Sequence, residues 1–271
     1  MTKFLTWFSA LSFTTAIVIA LILTGTTQNV SAGSLVAIDD LHAGDLIRGE
    51  SYSAVYYYGK DGFRYVFPND KTYFTWYDNF DGIKWLSDSN LAKIQIGSTI
   101  TYKPGNKMIK INSDSKTYAI GKNGTLMHVS SEEVAISLYG SNWNTKIDDV
   151  PDAFFASYTM GSPIEFASQF SPSAEIVEAL SIGVDKGLTS ATAVGITESG
   201  FSPASTTVSA GSVIRFENNT NDKHGVSADN TKWGTGTMNG GESFLKRFDE
   251  PGTYSYHDKY DSEQTGTIIV Q

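Results

Sequence analysis

The chain has no cysteine among its 271 residues, so any chemistry it performs must do without thiolates. Disulfides, cysteine nucleophiles, iron–sulfur clusters and thiolate zinc sites are excluded on that ground. Imidazole is scarce too, with four histidines, His42, His128, His224 and His257. His42 follows the N-terminal apolar run and His128 sits in a strand-like segment, each without a cluster of potential ligands around it. Serine, histidine and aspartate all occur, but neither G-x-S-x-G nor H-E-x-x-H is present. Gly59-Lys60-Asp61-Gly62 and Gly121-Lys122-Asn123-Gly124 have the composition of hairpin turns rather than of phosphate loops. The adjacent carboxylates Asp148 and Asp149 read as a capping turn rather than as an acid–base pair. Trp76, Trp85 and Trp143 could stack on sugar faces, but tryptophans at this spacing are more often core or interface anchors. No catalytic residue is assigned, and an enzyme is not expected. With 29 acidic against 20 basic residues and a net charge of −9, phosphate backbones and anionic lipid are poor partners, so nucleic acid is disfavoured.

Compartment follows from the first residues. Lys3 precedes an uncharged stretch from Phe4 to Leu23, and no further charge appears until Asp39. The stretch approaches the roughly 20 apolar residues that span a bilayer, and Val30-Ser31-Ala32 offers small residues to a signal peptidase. Residues 1–32 are therefore predicted to be an export segment, either cleaved after Ala32 or retained as an anchor. Both outcomes place the remainder outside the cytoplasm and limit membrane contact to this segment.

Residues 45–164 contain a degenerate repeat, visible when SAVYYYGKDGFRYVF from Ser53 is set over SKTYAIGKNGTLMHV from Ser115. The two Gly-Lys-x-Gly turns fix the register, and each copy reads as a hairpin. A helical segment follows each hairpin, Asn69 to Trp76 in the first and SSEEVAISLYG in the second, where Ser130 or Ser131 can cap. Each copy continues with a tryptophan, an Asp-containing turn and a second apolar stretch. The pattern resembles modules of exported proteins from poorly characterised bacteria, on the YVFPNDKTYFTWY and EEVAISLYGSNW segments, and implies an architecture only. Residues 165–191 are rich in Ser, Ala and Gly with a short helix through EIVEALSIG, and are predicted to be a linker.

From Thr192 onward, short alternating strands are separated by Gly, Asn and Pro, the pattern of a small β-sandwich. FSPASTTVSAGSVIRFENNTNDKHGV, GGESF, PGTYSYH and TGTIIV resemble the cupredoxins, the plastocyanin-like blue copper domains, over residues 192–271. The resemblance places Gly211 in a turn before a strand ending in Asn218, with His224 as a ligand after a short loop. It also implies a cysteine, a second histidine and a methionine after the GTYSYH strand, where this chain has Asp258, Asp261 and Gln264. A type 1 copper centre needs two His and a Cys with a weak axial ligand, so one ligand of the set remains. His224, Asp258, Asp261 and Gln264 are the candidate metal residues of a degenerate site. They could hold copper or another divalent transition metal, although no cofactor is the preferred expectation. On that expectation Asp258 and Asp261 accept hydrogen bonds from loop amides with Lys259 as their neighbouring charge, and strand alternation turns His257 away.

The fold class expected is mainly β: a C-terminal cupredoxin-like β-sandwich of Greek-key type, after an α+β domain of two hairpin-plus-helix repeats and an N-terminal export helix. The function expected is that of an exported cell-envelope binding or structural protein, with an envelope protein or glycan as partner. The alternative is a copper-binding or electron-transfer cupredoxin with a non-standard ligand set.

Overall fold

The computed structural model describes residues 34–271, and the export segment predicted for residues 1–32 lies outside the described residues. Among the described residues no helix is long and apolar enough to cross a membrane.

The repeat is present as two five-stranded sheets of identical topology. In the first copy β1 (Leu46–Gly49), β2 (Val55–Tyr58) and β3 (Arg64–Val66) form an antiparallel meander. Helix α1 (Asp70–Trp76) leads to β4 (Lys84–Leu86), which pairs parallel with β1, and α2 (Asp88–Lys93) leads to β5 (Ile96–Thr99), parallel with β3. The second copy repeats the plan with the meander β6 (Met108–Ile111), β7 (Asp114–Gly121) and β8 (Thr125–His128), then α3 (Glu132–Tyr139), β9 (Ile147–Asp149), α4 (Asp152–Phe155) and β10 (Thr159–Met160). Again β9 is parallel with the first strand and β10 with the third. The hairpin-plus-helix unit is thus a three-stranded meander closed on both edges by short parallel strands. Equivalent caps start the helices: Asn69 Oδ1 accepts from Thr72 N at 2.8 Å, and Ser131 Oγ accepts from Val134 N at 3.3 Å.

The stretch expected to be a linker carries α5 (Pro172–Glu178) and α6 (Ile182–Asp185), capped by Ser171 and Ser181. Phe170, Ala179 and Ile182 in it are buried.

The C-terminal sandwich comprises β11 (Thr192–Thr197), β12 (Gly200–Ser202), β13 (Ser205–Val208), β14 (Ser212–Asn218), β15 (Val226–Ala228), β16 (Ser243–Phe248), β17 (Gly252–Asp258) and β18 (Thr265–Val270). One sheet runs β12-β11-β14-β16 and the other β13-β18-β17-β15. Between them, Phe201, Phe216, Phe248 and Tyr256 are buried, with Trp233 stacked on Phe216 at 5.8 Å.

A second core joins the sandwich to the first repeat. Tyr57, Phe63, Tyr65 and Tyr73 pack in one cluster with Ile182, Val213 and Leu245. The turn of the first copy inserts there, and Gly62, at φ +89°, lies where a Cβ would come within 2.7 Å of Arg215 Nη2 and 3.2 Å of Leu245 Cδ1. Inside that turn Asp61 is buried and accepts from Arg247 Nη2 at 2.8 Å, from the Tyr65 hydroxyl and from Phe63 N. Strand β16 is the edge of its sheet, and the Gln95 side chain satisfies both backbone groups of Leu245, donating to its C=O at 3.1 Å and accepting from its N–H at 2.6 Å.

Candidate functional site

The four candidate residues meet at one end of the sandwich. His224 is held by a two-way backbone bridge to Met238, with N–H to C=O distances of 3.1 and 2.7 Å. Asp258 is the last residue of β17, opposite Val226 of β15, and is fully buried. The Asp258 N–H donates to Gln264 C=O and the Gln264 N–H to Asp261 C=O, which closes the connecting loop.

The Asp258 carboxylate organises the arrangement. Its Oδ2 lies 2.9 Å from His224 Nδ1 and accepts from Gly225 N at 3.4 Å. Its Oδ1 accepts from Tyr260 N at 2.6 Å and Asp261 N at 3.1 Å. A carboxylate has about four lone-pair positions, and four N–H donors occupy them here. Since the other donors to this carboxylate are fixed backbone amides, the network assigns a proton to Nδ1 of His224. Asp261 turns to its own loop, accepting from Glu263 N at 3.1 Å and from Gln264 Nε2 at 3.2 Å. Gln264 Oε1 is buried without a partner among the described residues.

The site therefore brings His224 and Asp258 into contact and joins Asp261 and Gln264 to them through the loop, but it does not aim four free donor atoms at one point. Among the described residues no group of three or more His, Cys, Asp or Glu is placed to hold a metal ion. Lys259 is not the counter-charge expected from sequence: its ammonium reaches Thr237 Oγ1 at 3.2 Å and lies over the Tyr260 ring. His257 faces the other side of its strand and pairs with Asp229 at 2.7 Å. Deeper in the sandwich, burial pushes the Tyr256 hydroxyl up to about 12, so it is a neutral core group.

A family model described as a cupredoxin-like domain matches residues 179–270. This part of the chain is a cupredoxin-like domain. The match begins 13 residues before Thr192 and takes in α6. Among solved structures, a purple cupredoxin from Nitrosopumilus maritimus is similar at 19% identity and TM-score 0.28, over 30% of this chain and 99% of that one. A copper-containing nitrite reductase from Thermus scotoductus SA-01 is similar at 19% identity and TM-score 0.29, over 30% of this chain and 22% of that one. A methionine-to-alanine mutant of amicyanin in its Cu(I) form is similar at 22% identity and TM-score 0.29, over 30% and 82% of the two chains. No curated protein matches the sequence.

The type 1 copper of the fold family does not fit the residues present. No thiolate exists in the chain, and the carboxylate at the expected cysteine position has its lone pairs filled by N–H donors. The loop-amide bonds of Asp258 had a sequence signal in the polar Asp-Lys-Tyr-Asp turn. The direct contact to His224, 34 residues away, had none.

Proposed function

We propose that the protein is an exported cell-envelope binding or structural protein whose cupredoxin-like domain works as a scaffold, with its type 1 copper site degenerate. The observation that carries this reading is the four-donor environment of Asp258. The Asp258–His224 contact ties the end of β17 to the loop before β15, so the chain itself holds together two elements that a metal would otherwise bridge. The export assignment rests on the apolar run and the Val30-Ser31-Ala32 sequence. The reading is of a binding protein rather than an enzyme, because the Asp258 carboxylate spends its hydrogen bonds on His224 and on the loop amides.

Metal content of the purified full chain, set beside that of a His224→Ala variant, tests the proposal. The expected result is less than stoichiometric metal in both. One equivalent of a transition metal in the wild type that disappears in the variant would favour a copper or other divalent-metal protein instead.

A further inference from the structure

The first repeat carries an open cleft of about 390 Å³, lined by Ser53, Ala54, Val55, Phe67, Pro68, Asn69, Asp70, Tyr73 and Phe80. One wall is aromatic and two rings deep. Phe80 stacks on Tyr73 at 4.6 Å and 28°, and Phe67 meets Tyr73 edge-on at 5.0 Å. Tyr73 is buried and backs Phe80, which stays 51% exposed. Phe74, 48% exposed, meets Phe80 edge-on at 5.2 Å.

The other wall is polar. Asn69 Oδ1 is used by the α1 cap and Asp70 Oδ1 by Lys71 N. Asn69 Nδ2, Asp70 Oδ2 and Ser53 Oγ make no hydrogen bond within the described residues, which leaves a donor, an acceptor and a hydroxyl on residues that line the cleft. The second copy differs at the matching positions. Ala135 stands at the position of Tyr73, and Trp143 packs on the cluster that includes Val134 and Ala135. There Ser130 N donates to Ile164 C=O at 3.1 Å, whereas the matching Pro68 has no N–H to give.

We propose that this cleft binds a neutral glycan, with one pyranose ring laid on the exposed part of the Phe80 ring and its hydroxyl rim against Asn69, Asp70 and Ser53. A pyranose presents an apolar face of C–H bonds and an equatorial rim of hydroxyls, and the two walls supply the complement of each. The volume lies at the small end of ligand sites, which suits one or two sugar units. Asp70 lines the cleft and no Lys or Arg does, which opposes anionic glycans. Trp76 and Trp85, the residues whose type first suggested a sugar platform, are used otherwise: Trp76 Nε1 donates to Thr101 C=O at 2.9 Å, and Arg48 covers the Trp85 ring at 4.0 Å. This inference deepens the envelope-binding reading and rests on it.

Affinity electrophoresis of the full chain in mild detergent tests it, using gels that contain a soluble neutral β-glucan, a neutral mannan or polygalacturonate. Retardation is expected with at least one neutral polysaccharide and not with polygalacturonate. Phe80→Ala and Asp70→Asn should each weaken it about tenfold or more, while Leu180→Ala, exposed on the α5–α6 connection, should not. Circular dichroism and thermal melts confirm that the variants are folded, and the conservative Asp70→Asn change keeps the test valid if Phe80→Ala is not. No retardation by either neutral polysaccharide, retardation unchanged in both variants, or binding of tetramethylammonium instead, read by tyrosine fluorescence, would each overturn the glycan cleft. Metal content measured on the same preparation keeps the two proposals apart. A metal-free chain that ignores glycans refutes the cleft alone, and a metal-loaded chain that binds them refutes the scaffold reading alone.

Discussion

Replacing Arg247 with methionine should be among the most destabilising single changes on the polar surface between repeat and sandwich. The side chain donates to Asp61 and Tyr65 at 2.8 and 2.9 Å through Nη2 and to Gly211 C=O at 3.1 Å through Nη1. Asp61 is 1% exposed, so the substitution strands a carboxylate inside the shared core. Removing one partner of a buried ion pair costs about 3–5 kcal/mol. Arg247 retains 34% exposure and water would partly replace it, so the lower end, about 3 kcal/mol, is the better figure. For a chain of this size that corresponds to a fall in Tm of roughly 6–12 °C. Burial and the Asp61 hydrogen bond also push the Tyr65 hydroxyl well above its ordinary range, so tyrosine ionisation offers no relief near neutral pH. Differential scanning calorimetry of wild type, Arg247→Met, Asp61→Asn and the double variant gives the coupling directly. The double variant should recover most of the loss, because the stranded charge is gone. A Tm change under about 2 °C would mean the pair behaves as a surface ion pair. Two separate transitions, of which the variant moves only one, would refute the idea that the shared core makes repeat and sandwich a single cooperative unit.

Gly62→Ala should cost about 1–2 kcal/mol in chemical denaturation, because the turn needs a positive φ and its Cβ would press on Arg215 and Leu245; an unchanged midpoint would show that the turn is not seated there. Asp185 is buried at the second repeat's turn, where its Oδ1 accepts from Asn123 N at 2.7 Å, and burial raises its pKa. A raised acid penalises folding above its folded pKa, and the penalty fades as pH falls to its unfolded value, so Asp185→Asn should raise Tm at pH 7 and leave it nearly unchanged near pH 3.5; an equal gain at both would contradict the assignment. Asp258→Cys with Asp261→His and Gln264→Met should give an intense blue Cu(II) complex if the β17 loop follows the cupredoxin path, and a folded, copper-binding but pale variant would show that it does not.

The parts of this fold that were legible in sequence are those written locally. The two Gly-Lys-x-Gly turns set the repeat register, and Asn69 and Ser131 mark the helix starts through their own side chains. The sandwich was legible because its strands alternate and its turns carry glycine. What stayed hidden depends on partners far along the chain. Asp61 reads as one polar residue of a tight turn, and only Arg247, 186 positions away, makes it a buried ion pair. Gln95 likewise has nothing in its neighbourhood to show that it would close a sheet edge 150 residues on. The edge strands β4, β5, β9 and β10 run two to four residues, too short for a periodic signal. In the candidate site, the amide bonds of Asp258 follow from a polar turn, but its saturation becomes visible only with His224 in place. The cleft carries no comparable sequence signal, because its aromatic wall is built of Phe80 and Tyr73 and not of tryptophan.

Pro68 makes the two copies differ by one backbone bond. In the second copy the serine N–H at this position fastens the returning chain at Ile164. In the first, an imino acid withholds the bond while the helix cap one residue later survives unchanged. A duplicated module can therefore vary one backbone bond between its copies through a single ring closure, at the mouth of the cleft in one copy and not in the other, without either losing its fold.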